Sequence, residues 1–183
     1  LPEFTGLRAE QLGERLVIAP DLHYIEKAFN HSKYGEFSAK PVMEIVFPSV
    51  ADASLAPPGH QVMSAIVQYA PHELKGGWGA GKSAFTDVVL DLLEEYAPDI
   101  RSKAVMAELL TPQDIEREFR MTGGHWHHGE LSMDQFLMLR PVPGAAQYAT
   151  PVPGLYLCGA GSHPGGGVMG SAGRNAARAI LAT

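Results

Sequence analysis

The sequence predicts an α+β fold: a mostly antiparallel sheet with helices packed on it. Three observations carry this. Residues 42–47 read Val-Met-Glu-Ile-Val-Phe, with Met43, Ile45 and Phe47 alternating onto one face. Val62 to Tyr69 repeats the alternation through Met63, Ala65, Val67 and Tyr69. Phe85, Val88, Val89, Leu92, Leu93 and Tyr96 then fall at the spacing of one apolar helical stripe.

Each element has local support. Pro48 ends the first strand, and the loop containing Pro57-Pro58-Gly59 leads to the second, so the two are expected to be antiparallel neighbours. Ser83 is a suitable cap for the following helix, Asp87 stands in its first turn and Pro98 stops it. Burying its six apolar side chains is worth on the order of 1.5–3 kcal/mol each before entropy is subtracted. Such a stripe needs a sheet to cover, and the two strands supply one. Ala104 to Leu109 reads as a further short strand. Thr111-Pro112-Gln113-Asp114 starts a helix, with Thr111 as cap and Pro112 at the first helical position; Ile115 and Phe119 are expected to face inward and Gly123-Gly124 to end it. Residues 1–40 are poorly periodic: 24–29 give a helical turn or two, and 30–35 a loop.

Composition narrows the function. Among 183 residues, 45% are apolar and 19% charged, ordinary values for a globular chain able to build a core. The net charge of −6 and the lack of any basic cluster argue against a nucleic-acid surface. A single cysteine, Cys158, excludes an internal disulfide framework and a multi-cysteine zinc site. No run of about 18 apolar residues marks a membrane span, and no basic-plus-apolar leader opens the sequence. A cytoplasmic location is the expectation that follows. Leu1-Pro2-Glu3-Phe4-Thr5-Gly6 reads like the interior of a longer polypeptide.

Two tracts mimic known sites. Gly76 to Ser83 matches the spacing G-x-x-x-x-G-K-[ST] of a phosphate-binding loop. Such a loop follows a buried strand directly, whereas residues 70–75 contain Pro71 and make a poor one. The tract therefore reads as a flexible loop leading to the Ser83 cap. His125-Trp126-His127-His128, with Glu130, invites a metal reading. Neighbouring residues of an extended chain point to opposite faces and coordinate poorly together. No metal is assigned to them.

The most informative stretch is the last. Leu155-Tyr156-Leu157-Cys158 follows Pro151-Val152-Pro153-Gly154 and reads as a buried strand entered from a turn. Gly159-Ala160-Gly161 leaves the backbone bare for close approach. From about Val168 to Leu181 the pattern is helical, with Gly167, Gly170 and Gly173 recurring at threes among alanines. Strand, glycine turn and bare helix start together form an anion- or dipole-binding arrangement. A Rossmann fingerprint does not fit, because Pro164 stands where its third glycine belongs.

The residues from Pro153 to Gly170, running on into Gly173-Arg174-Asn175-Ala176-Ala177, resemble the C-terminal flavin segment of phytoene-desaturase-related FAD oxidoreductases. The likeness extends upstream through residues 54–59, 67–71, 93–98, 110–112, His128-Gly129 and Arg140-Pro141-Val142-Pro143-Gly144. It implies that residues 1–150 are a substrate-side α+β region. Residues 151–183 are then the closing strand-turn-helix of an FAD-binding α/β domain whose fingerprint glycines lie outside this sequence. It also implies the cofactor FAD. Gly159 and Ala160 resemble positions beside its ribityl-phosphate region. Gly166, Gly167, Val168 and Met169 resemble the turn whose amides face the flavin ring. A helix start there presents about half a positive charge to the ring edge.

The implied activity is desaturation or oxidation of a small, largely apolar substrate by hydride transfer to flavin. On this reading the chain alone retains FAD weakly or not at all, and is inactive by itself. His125, His128 and Glu130 lie just upstream of the flavin segment, but no catalytic role is assigned to any residue. The alternative is a non-enzymatic α+β module that binds a partner or assembles with itself as a homo-oligomer.

Overall fold

The computed structural model describes residues 2–129 and 132–182. Its backbone contacts divide the chain into two compact units, Leu1–Thr111 and Pro112–Thr183. The division expected at 150/151 belongs to the flavoenzyme reading, taken up under Proposed function.

The first unit is α+β: helices packed with a small three-stranded antiparallel sheet. The sheet has β2 (Val42–Val46) at its centre, between β1 (Leu16–Ile18) and β3 (Ser64–Gln68). Ile45 pairs with Leu16 on one side and Ala65 on the other. The alternation of the central strand is realised, since Met43, Ile45 and Phe47 are all buried. Met63, Ala65 and Val67 pack against them from the third strand and the residue before it.

Three helices frame the sheet. Helix α1 (Leu22–Ser32) is capped by Asp21, whose carboxylate accepts from the Tyr24 amide at 2.7 Å. It continues past the turn or two expected at 24–29 and takes in 30–32, the start of the expected loop. Helix α2 (Pro48–Ala51) uses Pro48 as a helix start, the role its fixed φ allows. Helix α3 (Trp78–Tyr96) delivers the expected stripe: Leu92 and Leu93 join Met43, Ile45, Phe47, Ala97 and Ile100 in one core.

Its beginning differs from expectation. Ser83 does not cap α3; the helix starts five positions earlier, after Gly77 at φ 81°. Trp78 anchors that start, its indole N–H donating to the carbonyls of Pro71 at 3.1 Å and His72 at 3.2 Å. Its ring lies in a cluster with Phe37 and Phe85. This aromatic burial outweighs the poor helix propensity of Gly79 and Gly81. Helix α4 (Ile100–Lys103) follows. No strand forms at 104–109: this stretch is irregular, and Val105 and Met106 are exposed, so nothing rewards extended pairing there.

The second unit begins with α5 (Pro112–Phe119), started by Pro112 as expected. Ile115 is half-buried, but Phe119 is 60% exposed and does not face inward. The helix stops at Phe119, and Gly123 and Gly124 belong to the 3-10 turn that follows. Further on, the chain doubles back around Val152–Gly154. Leu157 donates to the Tyr148 carbonyl at 2.8 Å, and Thr150 to that of Leu155 at 3.1 Å. Only one bridge, Ala149 with Tyr156, results, so the expected buried strand at 155–158 is a two-chain crossing with Leu155 and Cys158 exposed.

Helix α6 (Ser171–Leu181) closes the unit. Its small residues have a packing reason. Ala172 and Ala176 are buried, and a Cβ on Gly173 would stand 3.8 Å from the Cys158 carbonyl. Asn175 donates its side-chain amide to the Tyr148 hydroxyl at 2.9 Å, fastening the helix to the doubled-back segment.

Candidate functional site

The turn between Cys158 and α6 is built from backbone more than from side chains. Ser162, 2% exposed, donates its hydroxyl to the Gly159 carbonyl at 2.9 Å, and its amide donates to the same oxygen at 3.1 Å. Gly165 donates to the Ser162 carbonyl at 2.7 Å. Arg140, 1% exposed, donates from Nη1 to the Ala160 carbonyl at 2.8 Å. Small residues are needed where the two halves of the turn meet, because a Cβ on Gly166 would lie 3.3 Å from the Ala160 Cβ.

The second half of the turn is unusual. Gly165 at φ 106° and Gly167 at φ 100° occupy a region open essentially to glycine alone. Val168 takes φ 59°, an outlier for a β-branched residue. Its side chain is fully exposed, and that of Met169 is 61% exposed. Gly170, at φ 65°, precedes α6, and no side chain caps the helix start. Added Cβ atoms at Gly159, Gly161 and Gly170 would meet nothing within 4 Å.

The six residues expected to face a cofactor thus lie on one turn. Ala160 and Gly166 are brought side by side, while Val168 and Met169 project outward. Arg140 stands in the sequence pattern only as part of a Pro-rich motif; its burial under this turn has no local signal. Its guanidinium also approaches the loop after the histidines, 3.8 Å from where a Gly129 Cβ would stand.

Other sequence candidates fall elsewhere. Gly81, Lys82 and Ser83 lie inside α3, so the tract at 76–83 is not a phosphate loop. His125 is half-buried and His128 exposed, while Glu130 lies outside the described residues. Among the described residues, no group of three or more His, Cys, Asp or Glu side chains is placed to hold a metal ion. Likewise, none of their helices is long and apolar enough to cross a membrane.

No protein-family model matches the chain. Over 164 residues it is 47% identical to pyridine nucleotide-disulfide oxidoreductase domain-containing protein 2 of Mus musculus, covering 88% of this chain and 28% of the relative. It is 34% identical over 128 residues to phytoene desaturase (lycopene-forming) of Pseudescherichia vulneris, covering 67% of this chain and 25% of that protein. The chain belongs to the phytoene-desaturase-related family. Another member, a limonene dehydrogenase subunit of Castellaniella defragrans, is 30% identical over 164 residues, covering 85% of this chain and 29% of its own length. The chain therefore spans less than a third of the length of the phytoene-desaturase-related relatives it matches.

Proposed function

We propose that this chain supplies the flavin-facing turn and part of the substrate side of an FAD-dependent oxidoreductase. The observation that carries the reading is the turn at 159–170. Its backbone is bare, Gly159, Gly161 and Gly170 border open space, and it leads into a helix start without a side-chain cap.

The residues present fit the group. Gly159 and Ala160 would hold the ribityl-phosphate side. Gly166, Gly167, Val168 and Met169 would hold the ring, with Val168 and Met169 offering apolar surface already turned outward. FAD, when bound, supplies the two-electron acceptor for hydride removal from substrate. The chain's own residues bind and orient. The uncapped amides of α6 present partial positive charge where an electron-rich ring edge is favoured, an effect of about 1 kcal/mol. Cβ atoms are absent where the cofactor must come close.

The names of the relatives support the substrate class. Phytoene, lycopene and limonene are hydrocarbons, and those proteins are named as desaturase or dehydrogenase. A small, largely apolar substrate is accordingly proposed here. Residues 1–150 would form the substrate-side region and 151–183 the closing segment of the flavin domain.

The test is the protein expressed from its complete reading frame. A yellow protein whose two-band flavin spectrum survives gel filtration supports the proposal. A colourless protein that takes up no added FAD ends it.

A further inference from the structure

We infer that Arg140 is the positioning residue of the cofactor turn, holding its first half in the shape that receives FAD; this rests on the flavin reading above. Arg140 is the largest of the fully buried side chains among the described residues. Burying a guanidinium costs free energy that only specific hydrogen bonding repays. One such bond is directed at the turn itself, from Nη1 to the Ala160 carbonyl at 2.8 Å.

That bond sets more than one atom. A trans peptide is planar, with its C=O and N–H pointing opposite ways. Holding the Ala160 carbonyl toward Arg140 directs the Gly161 N–H away from it. The Ser162 hydroxyl does the same to the preceding peptide by holding the Gly159 carbonyl at 2.9 Å. Two successive amides, those of Ala160 and Gly161, are thus aimed by side chains that themselves never reach the surface.

The packing reinforces the assignment. Ala160 sits where Gly166 comes closest, so fixing its carbonyl also fixes the approach of the second half of the turn. The guanidinium lies 3.9 Å from where a Gly165 Cβ would stand and 3.8 Å from that of Gly129, close enough that side chains there would crowd it. Lysine, a point charge on a flexible stem, cannot reproduce a planar fork wedged between two such backbones.

The experiment uses the complete reading frame carrying Arg140→Met or Arg140→Lys. Two readouts are needed: FAD affinity by fluorescence titration, and hydrogen exchange of residues 158–167 without added FAD. Arg140→Met is expected to weaken FAD binding about tenfold to a hundredfold, the range for one hydrogen bond to a charged group. It should also speed exchange in that segment roughly fivefold or more, with β2 and α3 unchanged. Arg140→Lys should recover part of the affinity, and bound flavin in either variant should absorb more like free FAD.

Wild-type affinity together with wild-type exchange in Arg140→Met overturns the inference. Should Arg140→Met not fold, Arg140→Lys decides by the same two measurements. Should the unsubstituted protein take up no FAD, the flavin reading fails, and exchange at 158–167 alone decides whether Arg140 holds the turn.

Discussion

Gly124 faces the first residue of α5 so closely that a Cβ on it would lie 2.0 Å from the Pro112 carbonyl oxygen. The turn after α5 therefore closes back onto the start of the same helix, backbone against backbone. Gly124 also holds φ 62°, a conformation disfavoured for any residue with a Cβ. Gly123 holds φ 68°, yet an added Cβ there meets nothing within 4 Å.

The pair separates strain from collision. Gly123→Ala should cost about 1–2 kcal/mol, the left-handed penalty alone. Gly124→Ala should cost about 3 kcal/mol or more, because the helix start must also move. Urea unfolding followed by far-UV circular dichroism measures both. Equal midpoints for the two variants would show that the Pro112 contact is not formed.

Leu93 is fully buried where α3 meets Met43 and Ile45 of β2. Leu93→Ala should destabilise the first unit by about 2–5 kcal/mol, through lost transfer energy and the cavity left behind. Met106→Ala, at a site 85% exposed, should stay within about 0.5 kcal/mol of the parent. A Leu93→Ala protein as stable as Met106→Ala would mean that α3 does not cover the sheet.

That contact was legible in the sequence because both partners repeat. Met43, Ile45 and Phe47 carry a period of two, and Phe85, Leu92 and Leu93 belong to a 3.6-residue stripe. Where the deciding force was tertiary, the pattern said less. Strand β1 has three residues and no room for a period; it exists because β2 offers it an edge. The start of α3 is set by the Trp78 indole reaching back to residues 71 and 72, which no local pattern encodes. Residues 104–109 have strand-like composition but no neighbouring strand to pair with. The glycine turn was legible because bare backbone is itself a signal. Arg140 was not, since a lone arginine before proline looks the same exposed or buried.

Tyr24 gives the first unit an alkaline signature. Its hydroxyl donates to the Pro41 carbonyl at 3.0 Å. Burial, followed by the nearby Tyr96 and Glu95, pushes its ionisation from 10.0 up to about 12. The folded state thus holds the phenolic proton more tightly than the unfolded chain does. The stability linked to this is complete below about pH 10 and drains as pH rises from there through about 12. Tyr24→Phe removes the titrating group and should flatten the loss of stability above about pH 10. It should also lower stability near neutrality by about 1 kcal/mol for the lost hydrogen bond. Urea midpoints collected at rising pH test this; parallel curves for parent and variant would show that Tyr24 does not titrate this way.

Gly159 separates the cofactor's needs from those of the fold. Its φ lies outside the left-handed range, and a Cβ there would meet nothing within 4 Å. The protein therefore gives no steric reason for glycine at this position. Gly159→Val should leave thermal unfolding within about 2 °C of the parent, as for other exposed substitutions that touch nothing. If FAD approaches this backbone, the two added methyl groups must occupy its space, and affinity in the complete protein should fall about tenfold or more. Gly161→Ala, also facing open space, adds a smaller group on the same stretch and should give a smaller loss. A graded fall in affinity at constant stability is the pattern of a ligand excluded from a preformed site. Unchanged affinity in both variants would mean that the open side of this turn receives no cofactor.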